Sequence, residues 1–456
     1  MLLLTCFTTT ASLALAAEPA KEAIDVERQL RIGRELFTRE WQPKGRNGVG
    51  DGLGPLFNER SCVACHKQGG IGGGGPAGNN VQIINVGKID PKDPWFPTES
   101  YQRTLLFPSL EADKSSLVLH RFGMHPQYEV WRELRLEFAD AESLLGEYEE
   151  RVRQLKEVGI GPRSQTFVQN DGLLMIGRRV TERVTLLPLT KEERNTTALF
   201  GAGLIDGVRL ETLEAVAEAQ SKEIRGRPAL LANGKVGRFG WKAQNVSLFD
   251  FNENACAVEL GLETATRQEA ALPVIFTRNP NASRYAVFRE AVGEDVTRDE
   301  IQAMTNFVAS LPQPRKSAAS HKRIDAILGE LVFGEIGCAD CHTPKLGSIS
   351  GIYSDLLLHR MGGYGSIYYG SSGTEDLAST RPPAVDEFRT PPLWGVADSA
   401  PYMHDGSAAT LHDAIIAHGV QGDLAGKKYR ELTAPQRRQL LGFLASLRAP
   451  DLNAAD

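Results

Sequence analysis

Apolar residues fall on a helical period in several stretches of this 456-residue chain, and one pattern of them occurs twice. Gly33-Arg34-Glu35-Leu36-Phe37 and Gly329-Glu330-Leu331-Val332-Phe333 each put a glycine four places before a phenylalanine, on one face of a predicted helix. Further on, 296–311 (VTRDEIQAMTNFVASL) aligns without a gap on 432–447 (LTAPQRRQLLGFLASL), with Thr297 and Thr433 as expected N-caps and a shared Phe-x-Ala-Ser-Leu ending. A small residue beside an aromatic lets two helices cross closely, so the first and last helices of each copy are expected to pack together. A third echo lies between them. Arg194 to Gly201 resembles Arg389 to Gly395, and each is followed by a short helix opened by a hydroxyl, at Ser247 and Thr410.

The chain therefore reads as two copies of one mainly helical unit, 22–314 and 320–450, joined by the polar stretch Pro312 to Ser317. The first copy is enlarged by insertions that bring some β-structure. Gly69 to Gly75 reads as a flexible loop. Residues 129–158, dense in charge with spaced leucines, read as a solvated helical excursion. Strands are expected at Thr166-Phe167-Val168 and Val180 to Leu187.

Composition narrows the setting. A formal net charge of −6 and scattered basic residues argue against nucleic acid as a partner. Met1 to Ala17 is apolar and ends in Ala14-Leu15-Ala16-Ala17, which reads as an export leader over 1–17, although it lacks a positive start; a short buried helix is the alternative. Cys6 would be lost with that leader. No other run reaches the roughly 18 apolar residues of a membrane span. The expected location is periplasmic or otherwise exported.

Four of the six cysteines form Cys62-Val63-Ala64-Cys65-His66 and Cys338-Ala339-Asp340-Cys341-His342. This spacing is the attachment site of a c-type haem: Cys62, Cys65, Cys338 and Cys341 would form thioethers, and His66 and His342 would bind iron as proximal ligands. A zinc site would need a second CxxC or CxxH close by, and the sequence has none near either motif. A dithiol redox centre remains as a further alternative.

Around these motifs the residues resemble a family. Arg389-Thr390-Pro391-Pro392-Leu393-Trp394-Gly395 and Ala400-Pro401-Tyr402-Met403-His404-Asp405-Gly406 are similar to the bacterial di-haem cytochrome c peroxidase and MauG superfamily. Arg194 to Gly203, Gly237 to Gln244 and Asp355-Leu356-Leu357-Leu358-His359 look like its di-haem oxidoreductase branch. The resemblance implies two cytochrome c-like domains, two c haems with electron transfer between them, and often a calcium ion near the domain interface. It also implies a small cytochrome or cupredoxin as electron donor and peroxide or another small oxidant as substrate.

The sixth ligands decide which haem can do chemistry. In the resembled peroxidases a methionine lies about four helical turns beyond the His-Asp-Gly motif, and that position here is His418. Met361 and Met403 are the alternatives. His359 and His404 are read as haem-edge residues, and His412 as a helix-surface residue. In the first copy, aligning Ser247-Leu248 on Thr410-Leu411 puts Ala255 where His418 stands, and alanine cannot bind iron. His120, with Met124 and His125 nearby, is the candidate removable ligand; an open iron is the alternative. The resembled peroxidases use a glutamine and a glutamate in this pocket. Gln244, Glu253 and Glu259 are the nearest analogues, though their spacing differs and ordinary helix polarity would also explain them. Trp241 is a candidate electron relay, with core packing as its other reading. Three functions follow: peroxide reduction at the first haem through the second, a di-haem electron carrier without peroxidase activity, or a MauG-like oxidase of an organic or protein substrate.

Overall fold

The computed structural model describes residues 11–43, 50, 52–86, 116–126, 128–130, 132–133, 189–231, 234–270, 293–314, 324–363, 381 and 383–451. The first ten residues of the expected leader lie outside these, as do 134–158 of the charged excursion, both expected strands between 163 and 187, and 315–317 of the linker.

Helices dominate: α1 (Ala11–Thr38), α2 (Cys62–Cys65), α3 (Ala202–Asp206), α4 (Leu210–Ala219), α5 (Leu248–Glu259), α6 (Arg298–Ser310), α7 (Ile324–Glu335), α8 (Leu411–Ala417), α9 (Asp423–Glu431) and α10 (Ala434–Leu444). The strands of three residues or more are β1 (Val81–Val86), β2 (Ser116–Val118), β3 (Leu189–Arg194), β4 (Leu358–Arg360) and β5 (Glu387–Arg389). They make two small antiparallel sheets, β2-β1-β3 and β4-β5. Among the described residues no helix is long and apolar enough to cross a membrane.

The repeated pattern becomes two matching helix crossings, α1 on α6 and α7 on α10. A Cβ at Gly33 would lie 2.0 Å from the Ala303 carbonyl oxygen, and one at Gly329 would lie 2.0 Å from that of Gln439. Only glycine allows so close an approach. Four residues on, Phe37 meets Phe307 at 5.5 Å between ring centres, and Phe333 meets Phe443 at 5.4 Å. Both last helices open with a full capping box. Thr297 accepts from the Glu300 amide and Thr433 from that of Gln436, and each Glu or Gln side chain answers to the cap amide.

The third echo is equally regular. β3 and β5 end at the buried Arg194 and Arg389. Each leads to a glycine in the left-handed region, Gly201 (φ 71°) and Gly395 (φ 68°). The two glycines pack reciprocally: Gly201 sits on the Trp394 ring, and Gly395 faces Phe200. Next come two tight loops closed by Phe239–Asn245 and Tyr402–Ala408 bridges. Then Ser247 and Thr410 cap α5 and α8 by accepting from the amides of Asp250 and Asp413.

One apolar core runs through both copies, joining Leu36, Phe37, Ile301 and Val308 to Ile352, Leu357 and Trp394. A second, around Phe333, Tyr353, Tyr429 and Phe443, belongs to the later copy. The glycine-rich segment departs from its expected flexibility. Gly72 to Gly75 are buried. Gly72 packs on Leu311, a Cβ at Gly73 would strike the Gln68 carbonyl at 1.8 Å, and the Gly75 amide donates to Thr196. Here glycine serves close approach rather than freedom.

Gly329→Ala should destabilise the protein by about 1–3 kcal/mol through overpacking at the crossing. Gly334→Ala, one turn on in the same helix with no atom within 4 Å of its Cβ, should be neutral or slightly stabilising. Thermal denaturation of both variants checks this.

Candidate haem sites

The first motif forms the short helix α2, whose cap Ser61 accepts from the Ala64 amide. His66 directs Nδ1 to the Gly73 carbonyl at 3.1 Å, which makes Nδ1 the protonated nitrogen and puts the ring's lone pair on Nε2. In the second motif His342 does the same with the Tyr353 carbonyl at 2.9 Å. Burial pushes both imidazoles down to about 4, so both are neutral at physiological pH. Burial also pushes the Cys62, Cys65 and Cys338 thiols up to about 12. A redox dithiol works through a lowered thiol pKa, which these buried cysteines do not have.

A cavity of about 420 Å³ adjoins the second motif, lined by Cys338, Cys341, His342 and His418 among others. His418 caps the C-terminus of α8 and turns Nδ1 to the Ala414 carbonyl at 2.7 Å, freeing Nε2. Its ring centre lies 6.4 Å from that of His342. Two bonds of about 2 Å to one metal, plus about 1.2 Å from each nitrogen to its ring centre, span about 6.4 Å. The pair therefore fits one iron between them. Met361 and Met403 line the same cavity, and His412 bonds the Tyr429 hydroxyl at 2.7 Å instead.

His359 lies at the motif's edge. Its Nε2 meets Asp355 Oδ2 at 2.8 Å, and its Nδ1 lies 3.7 Å from Cys341 Sγ. Burial would lower this imidazole, but the bond to Asp355 with Cys341 alongside raises it to about 10. Gln220 of the first copy donates to the same Asp355 oxygen at 2.8 Å, tying the pair to the joint. Cys341, Asp355 and His359 could together hold a metal, yet a thiol and an imidazole are poor partners for calcium, which takes oxygen ligands. His404 lies tilted against Phe388, 4.0 Å between ring centres, and meets Trp241 edge-on at 6.4 Å. Trp241 donates Nε1–H to the Asn195 carbonyl, two residues before Thr197, whose backbone bonds His66.

At the first site the matched caps of α5 and α8 put Ala255 in register with His418. Of the three carboxylate and amide candidates, two are committed elsewhere. Gln244 accepts from the Lys242 amide in its own loop. Glu253 accepts from Thr264 and faces Arg267. Glu259 differs. It lies one helical turn beyond Ala255 on the same face. Its Oε2 accepts from Asn58 at 2.7 Å, while Oε1 is buried without a hydrogen-bond partner. Burial raises this carboxyl to about 7, and its charge bears on both Cys62 and Cys65. His120 is buried against α5, donating Nε2–H to the Val258 carbonyl at 2.8 Å; its Nδ1 is buried without a partner, so only that nitrogen could bind a metal from here. Met124 is exposed.

Sequence reasoning missed the two carbonyls that orient the proximal histidines. It also missed Asn79, which donates to Cys65 Sγ at 3.4 Å and to Glu59. Asp355 could have been found from its i, i+4 spacing to His359.

Since Glu259 holds its proton to about pH 7 when folded but only to the usual carboxylate range when unfolded, it stabilises the fold fully at low pH. That stability, about 3 kcal/mol, should be lost as pH rises through 7. Glu259→Gln keeps the acceptor for Asn58 without ionising. Its urea-denaturation stability should fall correspondingly less than wild type between pH 5 and pH 8.

A family model described as "Di-haem oxidoreductase, putative peroxidase" matches residues 190–447, more than half of the chain. Among solved structures, hydrazine synthase of Kuenenia stuttgartiensis is similar over 56% of this chain and 73% of its own, at 18% identity and a TM-score of 0.32. A MauG-like protein associated with microbial copper homeostasis is similar over 33% of this chain and 53% of its own, at 23% identity and a TM-score of 0.25. Likeness at that level carries no argument about activity. No curated protein matches the sequence. The match over 190–447 contains the second motif, both echoed Arg-to-Gly segments, α5 and α8, and on it the chain belongs to the di-haem oxidoreductase family.

Proposed function

We propose that this chain is an exported c-type di-haem oxidoreductase that reduces peroxide at the first site with electrons relayed through the second. Its two cytochrome c-like domains are 22–314 and 320–450. Haem held by thioethers at both motifs would supply one-electron redox chemistry, and an iron with an open face would add the means to cleave an O–O bond.

The observation that carries this reading is the mismatch between two helices that start from matched caps: α8 bears His418 where α5 bears Ala255. At the second site His342 and His418 offer two neutral imidazoles, a pair that favours ferric iron and suits storing and passing electrons. At the first site His66 offers one, and Ala255, in register with His418, has nothing that can bind a metal. Glu259, a turn further on the same face, holds a proton near neutral pH beside an oxygen with no other partner. It can give that proton to the leaving oxygen of peroxide and take one from the oxygen that remains. Peroxide becomes two waters by gaining two electrons and two protons. The electrons arrive singly from a small cytochrome or cupredoxin, and Trp241 carries them across the joint between His404 and the Asn195–Thr197 segment.

Spectra of the oxidised protein should contain one low-spin and one high-spin haem, the second shifting when peroxide is added. His418→Ala should turn the low-spin signal high-spin. Glu259→Gln should leave both signals in place and slow peroxide turnover by at least about a hundredfold. Two low-spin haems that ignore peroxide even after half-reduction would make the chain an electron carrier and overturn the reading.

A further inference from the structure

The tight loops before α5 and α8 match residue for residue, so Lys242 occupies the place of Asp405 and Trp241 that of His404. The exchange of an acid for a base is accompanied by an unusual environment. Lys242 is 1% exposed. Its Nζ donates to the carbonyl oxygens of Ala384 at 3.0 Å, Val385 at 2.8 Å and Glu387 at 2.5 Å. All three ammonium donors thus go to the main chain of one segment in the other copy. Nζ also lies 3.8 Å from the centre of the Phe388 ring.

His404 packs on that same ring, 4.0 Å between ring centres and tilted by 34°. A cation and an imidazole this near one ring centre must take opposite faces, so Phe388 is held between Lys242 and His404. His404 then meets Trp241 edge-on, and Phe388, His404 and Trp241 all line the second cavity. The neighbouring acids already have arginine partners: Glu192 has Arg194, Glu387 has Arg227, and Asp386 has Arg360. Among the described residues no carboxylate bonds Lys242, and carbonyl dipoles together with the ring face offset its charge.

We propose that Lys242 is a positioning residue for electron passage between the two sites: it clamps Phe388 against His404 beside Trp241, and its buried positive charge favours the reduced state at the second site. This deepens the electron-relay reading and rests on it. Burial and the nearby Arg194 charge lower the Lys242 ammonium to about 7, with Glu192, Glu387 and Asp386 working in the other direction. The charge is therefore present below neutral pH and withdrawn above it. A unit charge acting over about 10 Å at an effective dielectric constant of about 20 changes a reduced-to-oxidised ratio by about tenfold.

The test is an anaerobic redox titration of the low-spin haem in the holoprotein, without peroxide, for wild type and Lys242→Met at pH 6 and pH 8. At pH 6 the variant should show an about tenfold lower reduced-to-oxidised ratio at a given potential, and at pH 8 the two should converge. Curves that coincide at both pH values overturn the proposal and leave Lys242 a packing residue. If that variant does not retain haem, Lys242→Arg decides: its ratio should not share the wild type's fall between pH 6 and pH 8, and an equal fall overturns the proposal. Because peroxide is absent, failure of the peroxidase reading would leave these titrations unchanged.

Discussion

A glycine set against a carbonyl at each helix crossing fixes how near α1 comes to α6 and α7 to α10, and both sites take their geometry from that distance. Four residues beyond each glycine a phenylalanine is carried onto its partner ring, and the same phenylalanine reaches the motif histidine: Phe37 lies 6.2 Å from His66 and Phe333 lies 6.5 Å from His342. The histidine ring is then held on two sides, by that aromatic and by the carbonyl receiving Nδ1–H. Its remaining lone pair is aimed by backbone placement rather than by a flexible side chain.

On this shared frame the two copies differ at a few matched positions, and the proposed function rests on those differences. Ala255 stands against His418, Trp241 against His404, and Lys242 against Asp405. None of the exchanges disturbs the caps or the loops. Gly240 and Met403 hold φ values of 84° and 71°, and Ala243 and Gly406 hold 50° and 72°, so the backbone follows one course through different side chains. The left-handed conformation of Met403 and Ala243, which glycine would adopt more easily, is kept by the surrounding loop.

The crossings, the caps and the two Cys-x-x-Cys-His motifs were legible in the sequence because each is a local pattern with its own period or spacing. The alignment of Ala255 on His418 was legible for the same reason, since both count from a capping hydroxyl. What could not be read was long-range partnership. Glu253 and Glu259 sit on one helix with similar sequence surroundings, yet one is tied to Thr264 and Arg267 while the other carries an orphan oxygen beside the first motif. Nothing local in the sequence marks Lys242 as buried, and the three carbonyls that close on it come from residues 384–387. The glycine run misled for a different reason. Glycine marks both freedom and tight approach, and only the atoms around Gly73 and Gly75 tell which applies.

The reciprocal contact of Gly201 with Trp394 and of Gly395 with Phe200 has the form of an isologous interface, in which one patch meets a copy of itself across a two-fold axis. Two identical single-motif chains could make that contact twice over. Covalent fusion frees such a pair from its symmetry. Within one chain each side of the contact carries its own residue, so Phe200 and Trp394 can differ. Two linked copies can differ at matched positions where a symmetric pair of identical chains cannot, and Ala255 against His418 is such a difference.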